Sequence, residues 1–270
     1  MTERTVIGLA SVVSPDQIRG SLSPSRHAIW TPAAKAIAAV GQRGYAFVPA
    51  KEIHALLVEE GAKDWIGFSA SWDDLPIDAF MGDRGKYRRR RYAEFAVSRD
   101  EIVRKPHGPH YQSCAYNPLN GGIERWFGPI VETIASHPAL RAIFRTSHRL
   151  FDSLTPTSAR PPAWHVEAHQ IRIIASSWEE GHPTPEGLHR DGVDWALMLL
   201  IARDRVRFGK TTICDLRGRP LGSFTLTTPF DAAFVNDRRV YHEVTPIAVI
   251  DKSGVGHRDM LVVKPASTAS

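Results

Sequence analysis

The sequence is poor in cysteine and in long apolar runs. It has two cysteines in 270 residues, Cys114 and Cys214, far apart and without metal-type spacing. This excludes a disulfide scaffold and a cysteine-ligated zinc site, and we expect both thiols to be reduced. No apolar run approaches the roughly 18 residues of a membrane span, and the first residues lead into no apolar signal-peptide core. We therefore expect a cytoplasmic protein without membrane attachment.

Length and composition predict one domain of generous size, because 43% of the residues are hydrophobic and can supply a sizeable core. Within this single domain of residues 1–270, we expect an irregular segment over 1–26. Residues 27–160 should form helices with a few strands, and residues 161–265 the core strands. Neither internal repeats nor a linker of disordered composition interrupts the chain.

Hydrophobic periodicity changes halfway along the chain. The first half predicts helices over 28–40, 51–60, 122–136 and 138–154, a helix capped by Asp64, and strands over 45–48, 88–97 and 101–105. The second half predicts strands over 164–176, 193–202, 211–215, 221–227, 232–235, 241–244 and 260–265. Helices followed by many short strands indicate a mainly β protein, a barrel or jelly roll braced by N-terminal helices.

The charge is +5 with a pI near 9.4, and its sharpest feature is the run Arg88-Arg89-Arg90-Arg91. One interpretation is a nucleic-acid patch. The run is short and lies between Tyr87 and Tyr92, so a solvated strand or turn is favoured and no nucleic-acid partner is predicted. The excess positive charge would equally suit a small anionic substrate.

The most informative stretch is His189-Arg190-Asp191, flanked by Gly187 and Gly192. Side chains two apart point to one face of a strand, so His189 and Asp191 can converge. A strand-like piece further on carries His242. Two histidines and one carboxylate with open positions opposite suit a non-haem Fe(II) oxygenase. Such a pair alone is weak evidence among 12 histidines, where a surface or core histidine is the alternative.

A second observation strengthens the iron hypothesis. Arg258 opens the last apolar strand, and a buried arginine there needs an anion because an unpaired buried charge is very costly. The diacid 2-oxoglutarate would supply one through fork-to-carboxylate pairing.

Several segments also resemble a known family: residues 87–92, 110–113, 116–127, 165–172, 185–192, 237–247 and 258–259. Together they are similar to the bacterial Fe(II)/2-oxoglutarate dioxygenases of the L-isoleucine 4-hydroxylase type, which hydroxylate free amino acids. The resemblance spans roughly residues 45–265. It implies a double-stranded β-helix, with Fe(II) and 2-oxoglutarate as cofactor and cosubstrate.

The resemblance also implies residue roles. Iron ligands fall on His189, Asp191 and His242, and the 2-oxoglutarate anchor falls on Arg258. Where the family carries Gly-Gly-x-Ser/Thr, this chain has Gly209-Lys210-Thr211. This departure leaves open whether Thr211 or its neighbour Thr212 assists the anchor.

A free amino acid needs an anion site and a cation site. Gln170 and Arg172 alternate with Ile171 and Ile173, so Arg172 would bind the substrate carboxylate if the polar face is the interior. The alternative is an outward Arg172 paired on the surface. Glu186 would meet the ammonium group, or else serve as a loop residue supporting the metal site.

The predicted activity is therefore hydroxylation of an unactivated C–H bond of a free L-amino acid, using O2 and releasing succinate and CO2. Three alternatives stay open: a carrier-bound or amino-acid-derived natural-product substrate, a non-catalytic cupin-like binding protein, and a nucleic-acid module. The sequence leaves undecided the amino acid, the carbon hydroxylated and whether the protein is a monomer or a homodimer.

Overall fold

A computed structural model describes residues 24–251 and 254–267, without the side chains of 24–32. The helices are α1 (Pro24–Arg43), α2 (Ala50–Glu59), α3 (Trp65–Ala70), α4 (Glu132–Ala135) and α5 (Pro138–Leu154), with a 3-10 turn at Thr157–Ala159. The strands are β1 (Tyr45–Val48), β2 (Arg88–Val97), β3 (Ile102–Arg104), β4 (Gly128–Pro129), β5 (Trp164–Ser176), β6 (Trp195–Asp204), β7 (Val206–Phe208), β8 (Thr211–Asp215), β9 (Pro220–Phe224), β10 (Ala232–Asn236), β11 (Val240–Val244), β12 (Ile247–Val249) and β13 (Val255–Ala266).

These strands form two facing layers. The large sheet has the order β1-β10-β6-β13-β5-β2-β3, with β4 beside β2. The opposite layer consists of the sheet β11-β8-β9 and the pair β12-β7. Every pairing is antiparallel except that of β2 with β4. The protein is thus a double-stranded β-helix, or jelly roll, with N-terminal helices, as the sequence predicts.

Alternation along the large sheet separates two apolar cores. On its outer face Leu197, Leu199 and Leu261 pack against the helices, including the buried stripe of α5. On its inner face Met198, Leu200 and Met260 pack beneath the small sheet with Ile213. Each fully buried side chain of this size contributes about 1.5–3 kcal/mol to folding. The outer core braces the sheet, and the inner face is left to line a cavity.

The predicted helix over 122–136 is largely wrong, since only α4 is helical there. Arg125 instead forms an antiparallel bridge with His110. Two of the apolar side chains that suggested a helix are exposed, Ile123 at 53% and Trp126 at 55%, whereas Arg125 is 2% exposed. The segment buries its arginine, and this tertiary contact overrides the helical period.

Other differences lie at element ends. Residues 24–26, expected to be irregular, begin α1, while the remainder of that predicted segment lies outside the described residues. Asp64 caps α3 as predicted, accepting from the Gly67 amide at 3.0 Å. The last strand is twice as long as predicted and places polar residues on both faces. No helix in the described part of the chain is long and apolar enough to cross a membrane.

Candidate active site

The inner faces of β2, β5 and β13 form the floor of a cavity of about 100 Å³. Ile173 lies between Arg88 on β2 and Arg258 on β13, and Ile171 lies between Arg90 and Met260. Because alternation is strict along these strands, charged residues of β2 and β13 face the same space as the isoleucines of β5. The cavity therefore has an apolar floor with cations on both sides.

His189 and His242 meet at one side of this cavity. Their backbones form an isolated antiparallel bridge, with N–H···O distances of 3.0 and 2.9 Å, and their ring centroids lie 4.4 Å apart. The Asp191 carboxylate lies 3.9 Å from His189 Nε2 and 3.7 Å from His242 Nε2. One ligand atom from each residue lies within 4.8 Å of the others, so the three could hold a metal ion.

The route by which the three converge differs from the prediction. His242 lies in β11, whereas His189 takes part in strand pairing only through that single bridge and Asp191 lies in a loop. Asp237 holds this loop, accepting from the amides of Asp191 at 2.8 Å, Gly192 at 2.8 Å and Val193 at 3.2 Å. Burial and the nearby Asp191 charge raise the pKa of Asp237 to about 6.

No catalytic role was predicted for Asp237 from the sequence. Its neighbour Arg238 pairs with Asp194. Gly192 has φ +86°, and a Cβ there would lie 2.7 Å from the Tyr116 ring, so the turn after Asp191 requires glycine.

Hydrogen bonds prepare this cluster to bind a cation. His189 Nδ1 lies 3.0 Å from the Gly187 carbonyl, which only accepts, so Nδ1 carries the proton and Nε2 offers a lone pair. Burial, reinforced by His189, lowers the pKa of His242 to about 3, which keeps it neutral. Burial opposes ionisation of Asp191, but Lys264 and the two histidines outweigh it and lower its pKa. Two imidazoles and a carboxylate are the donor set that suits Fe(II).

Lys264 completes the cluster. Its Nζ lies 2.6 Å from Asp191 Oδ1, and both side chains are 8% exposed. Lys264 therefore fixes the carboxylate and leaves Oδ2 as the atom free to bind an ion. Lys264 was not predicted from the sequence, although it lies on the same face of β13 as Arg258, Met260 and Val262.

A second buried cluster, His110, Glu167 and His169, has similar composition and equally close ligand atoms. Glu167 Oε2 lies 3.3 Å from Nε2 of each histidine. Arg125 Nη2 lies 2.9 Å from His110 Nδ1, and Arg90 Nη2 lies 2.8 Å from His169 Nδ1. Arginine only donates, so both Nδ1 atoms accept and both Nε2 atoms carry protons that point at Glu167.

These two protons lie where a metal ion would have to bind. Binding a metal ion while both Nδ1 atoms keep accepting from the arginines would require two anionic imidazolates. Burial lowers the pKa of His110 to about 4 and that of His169 as well, so both stay neutral. The second cluster is thus a hydrogen-bonded chain, Arg90–His169–Glu167–His110–Arg125. None of its members was assigned a role from the sequence.

Four arginines border the cavity: Arg88, Arg90, Arg125 and Arg258. The prediction that the run 88–91 is solvated is wrong for Arg88 and Arg90, which are 5% and 6% exposed. Strand pairing sends these two inward, while Arg91 points outward to the Pro129 carbonyl and Asp74.

Arg258 is 3% exposed, and no ion-pair partner for it occurs among the described residues. Burial and the charge of Arg203 lower its pKa to about 10, so it remains a cation near neutral pH. Gly209 has φ +75°, and a Cβ there would lie 2.9 Å from Ile247 Cγ2, so the turn beside Arg258 requires glycine. Thr211 is fully buried, opposite Val244 and two positions from the pair Ile213–His242.

Of the two residues predicted to bind substrate, only Glu186 lines the cavity. Its Oε1 lies 3.5 Å from His189 Nε2. Arg172 lies on the opposite face of β5 and donates to both Asp259 oxygens at 2.7 Å and to Asp73 at 2.8 Å. Over residues 170–173 the inward face of β5 is the apolar one, so the predicted carboxylate contact by Arg172 is replaced by its alternative, a paired structural arginine.

The jelly roll with a His-x-Asp and distal His cluster defines the class of 2-oxoglutarate-dependent non-haem iron oxygenases. Comparison with known proteins gives the family: the family model "2OG-Fe dioxygenase" matches residues 69–264. The chain belongs to this family, and its cofactors are Fe(II) and 2-oxoglutarate.

The chain is similar to a 3(1)-hydroxy-L-isoleucine 4-dioxygenase from Pantoea ananatis, at 22% identity over 83% of this chain and 92% of that protein. It is also similar to an L-isoleucine-4-hydroxylase from Bacillus thuringiensis, at 24% identity over 80% and 85% of the two chains. Among solved structures, a bsmA homologue from Methylobium petroleophilum PM1 has a TM-score of 0.77 and 32% identity, covering 87% of this chain and 92% of that one.

Proposed function

We propose that the protein hydroxylates an unactivated C–H bond of a free L-amino acid, releasing succinate and CO2. The observation that carries this proposal is one cavity that contains three groups of residues. They are the cluster that could hold a metal ion, the buried Arg258 without an ion-pair partner among the described residues, and further charged residues that neither iron nor 2-oxoglutarate would need. The similarity to two enzymes named for isoleucine substrates supports an amino acid rather than another small molecule.

In this proposal His189, Asp191 and His242, which line the cavity, would hold Fe(II). Arg258 would bind the distal carboxylate of 2-oxoglutarate, with the buried Thr211 as the assisting hydroxyl. When bound, Fe(II) and 2-oxoglutarate supply oxygen activation and the oxidation of the C–H bond. O2 is the remaining cosubstrate.

The protein's own groups position and shield this chemistry. Lys264 and Asp237 fix Asp191 and its loop, and the Gly187 carbonyl sets the orientation of the His189 ring. Ile171, Ile173 and Met260 exclude water from the floor of the cavity.

The experiment is a screen of all proteinogenic L-amino acids for succinate release coupled to a mass gain of one oxygen atom. We expect at least one free amino acid to give both signals in stoichiometric amounts. If no free amino acid does, while a carrier- or peptide-linked residue is oxidised, the substrate is a bound one and the proposal is wrong. Amides of the responsive amino acid should react poorly, because a neutral group leaves an arginine unpaired.

A further inference from the structure

The charges lining the cavity are unbalanced. Five cationic residues face it, namely Arg88, Arg90, Arg125, Arg258 and Lys264, against two acids, Glu186 and Asp191. Lys264 pairs with Asp191, and the proposed function assigns Arg258 to 2-oxoglutarate. Three arginines and Glu186 remain without a role in iron or cosubstrate binding.

These three arginines have donors with no partner. Arg88 Nη2, Arg90 Nε and Arg125 Nε are buried and find no hydrogen-bond acceptor among the described residues. Glu186 Oε2 is buried and unpartnered in the same way. Native proteins rarely leave buried polar atoms unsatisfied, and such atoms around a cavity indicate that a ligand completes them.

The rest of each guanidinium is held in place. Arg88 Nε donates to Asp78 at 2.7 Å, while Arg90 and Arg125 are the two ends of the hydrogen-bonded chain through Glu167. The Phe127 ring lies 4.2 Å from Arg90 Cζ and 5.5 Å from Arg125 Cζ. The unpartnered donors are therefore pre-organised, which reduces the entropy lost when an anion binds.

Charge balance specifies the ligand. Asp78 and Glu167 neutralise two of the three arginines, and one positive charge remains for one anionic group. Glu186 adds one carboxylate next to His189, and its Oε2 has no hydrogen-bond donor among the described residues. A site with unsatisfied arginine donors and a separate unsatisfied carboxylate oxygen matches a zwitterion, and planar arginine forks favour a carboxylate.

We propose that Arg88, Arg90 and Arg125 bind the carboxylate of the substrate, and that Glu186 receives its ammonium group. This inference rests on the proposed function and makes it narrower, because an ester, an amide or an N-acylated amino acid would leave one of these charges unpaired. It also moves carboxylate recognition from Arg172 on β5 to β2 and to the segment that contains Arg125.

The test is calorimetric binding under anaerobic conditions to protein loaded with Fe(II) and 2-oxoglutarate. The probes are the proteinogenic L-amino acid that most stimulates succinate release and its primary amide. Arg125→Gln should raise the Kd of the amino acid on the order of a hundredfold and leave the Kd of 2-oxoglutarate unchanged. The matched control is Arg91→Gln, which removes an outward arginine from the same strand as Arg90 and should leave both constants unchanged.

The amide provides a second readout that needs no change in the protein. Wild type should bind it on the order of a hundredfold more weakly than the acid, and Arg125→Gln should lose most of this discrimination. Arg88→Gln replaces Arg125→Gln if the latter fails to fold. Glu186→Gln should weaken the acid and the amide equally, because both carry the ammonium group.

Two results would overturn this inference and leave the proposed function standing. One is a variant that binds the amino acid with the wild-type Kd, and the other is a variant that loses affinity for 2-oxoglutarate only. The latter would assign the arginines to the cosubstrate. If no proteinogenic amino acid stimulates succinate release by wild type, the proposed function fails first, and the inference that rests on it fails too.

Discussion

Two buried clusters in this protein each contain two histidines and one carboxylate, and they differ in what the outer ring nitrogens contact. In His189–Asp191–His242, His189 Nδ1 faces a carbonyl and Nε2 is free to bind a cation. In His110–Glu167–His169, both Nδ1 atoms face arginines and both Nε2 atoms carry protons. Composition and spacing are therefore insufficient to define a metal site. The hydrogen bonds at Nδ1 of His189, His110 and His169 separate the two clusters, whereas His242 Nδ1 has no partner among the described residues.

The same difference gives the clusters separate tasks. In the first cluster His189 Nε2 carries no proton, and Lys264 and Asp237 fix Asp191 and its loop. The second uses all its inner atoms to hold Arg90 and Arg125 at the cavity wall. We infer that one cluster holds the metal and the other shapes the site for the substrate.

The largest expected effect is the loss of product formation when His242 is substituted. His242→Ala should abolish product formation, because the metal would lose one of three protein ligands. His169→Asn offers the matched change in the other cluster and keeps an acceptor for Arg90. It should retain 2-oxoglutarate turnover. The measurement is succinate release with added Fe(II), and near-native turnover by His242→Ala would break the distinction between the clusters.

The next effect concerns the cosubstrate. Arg258→Ala should raise the KM for 2-oxoglutarate on the order of a hundredfold, because losing one partner of a buried charge pair costs roughly 3–5 kcal/mol. Arg207→Ala removes an exposed arginine from the neighbouring β7 and should change nothing. Steady-state kinetics with varied 2-oxoglutarate gives both values. An unaltered KM in Arg258→Ala would place the anchor elsewhere.

A smaller effect is expected from the loop support. Asp237→Asn replaces one of the two Asp237 oxygens, which accept from the amides of residues 191–193, with an NH2 group that cannot accept. This variant should weaken Fe(II) binding roughly 10–100-fold. The comparison variant is Asp215→Asn, which alters a similar acceptor in the turn before Arg219. Anaerobic Fe(II) titration would measure the difference, and equal affinities in both variants would remove Asp237 from the metal site.

The last predicted effect is on stability and comes from the second cluster. The folded-state pKa of His110 is about 4, below its ordinary value of 6.5, so the unfolded chain binds the proton more readily. Its contribution is therefore present above pH 6.5 and is lost as the pH falls toward 4, up to about 3 kcal/mol.

Urea unfolding at pH 7 and pH 5 tests this effect. His110→Asn keeps an acceptor for Arg125 and does not titrate, so it should show a flatter pH dependence than wild type. The control His54→Asn changes an exposed histidine of α2 and should keep the wild-type slope. Identical slopes for His110→Asn and wild type would show that His110 is not held neutral by burial.

Sequence patterns predicted the architecture well because it depends on local periodicity. The bounds of β2, β5, β8 and α5 agree with the structure, and the mainly β fold with N-terminal helices is confirmed. The spacing of His189 and Asp191 indicated their convergence, although a loop held by Asp237 brings it about rather than a strand.

The substrate side could not be predicted in the same way. Alternation divides β5 into two faces but does not say which one lines the cavity, so the polar face with Arg172 was the wrong choice. Arg125 lies in a segment whose apolar spacing imitates a helix, and its bridge to His110 is a long-range contact that no local pattern reports. Charges buried by tertiary pairing, such as Arg90 with His169, resemble surface charges in the sequence.

The most direct test of the central claim is metal stoichiometry in matched carboxylate variants. Anaerobic titration with Fe(II), followed by metal analysis, should give one ion per chain for wild type and for Glu167→Gln, and none for Asp191→Ala. Two ions in wild type, or a loss of the ion in Glu167→Gln with retention in Asp191→Ala, would contradict the assignment of the metal to His189, Asp191 and His242.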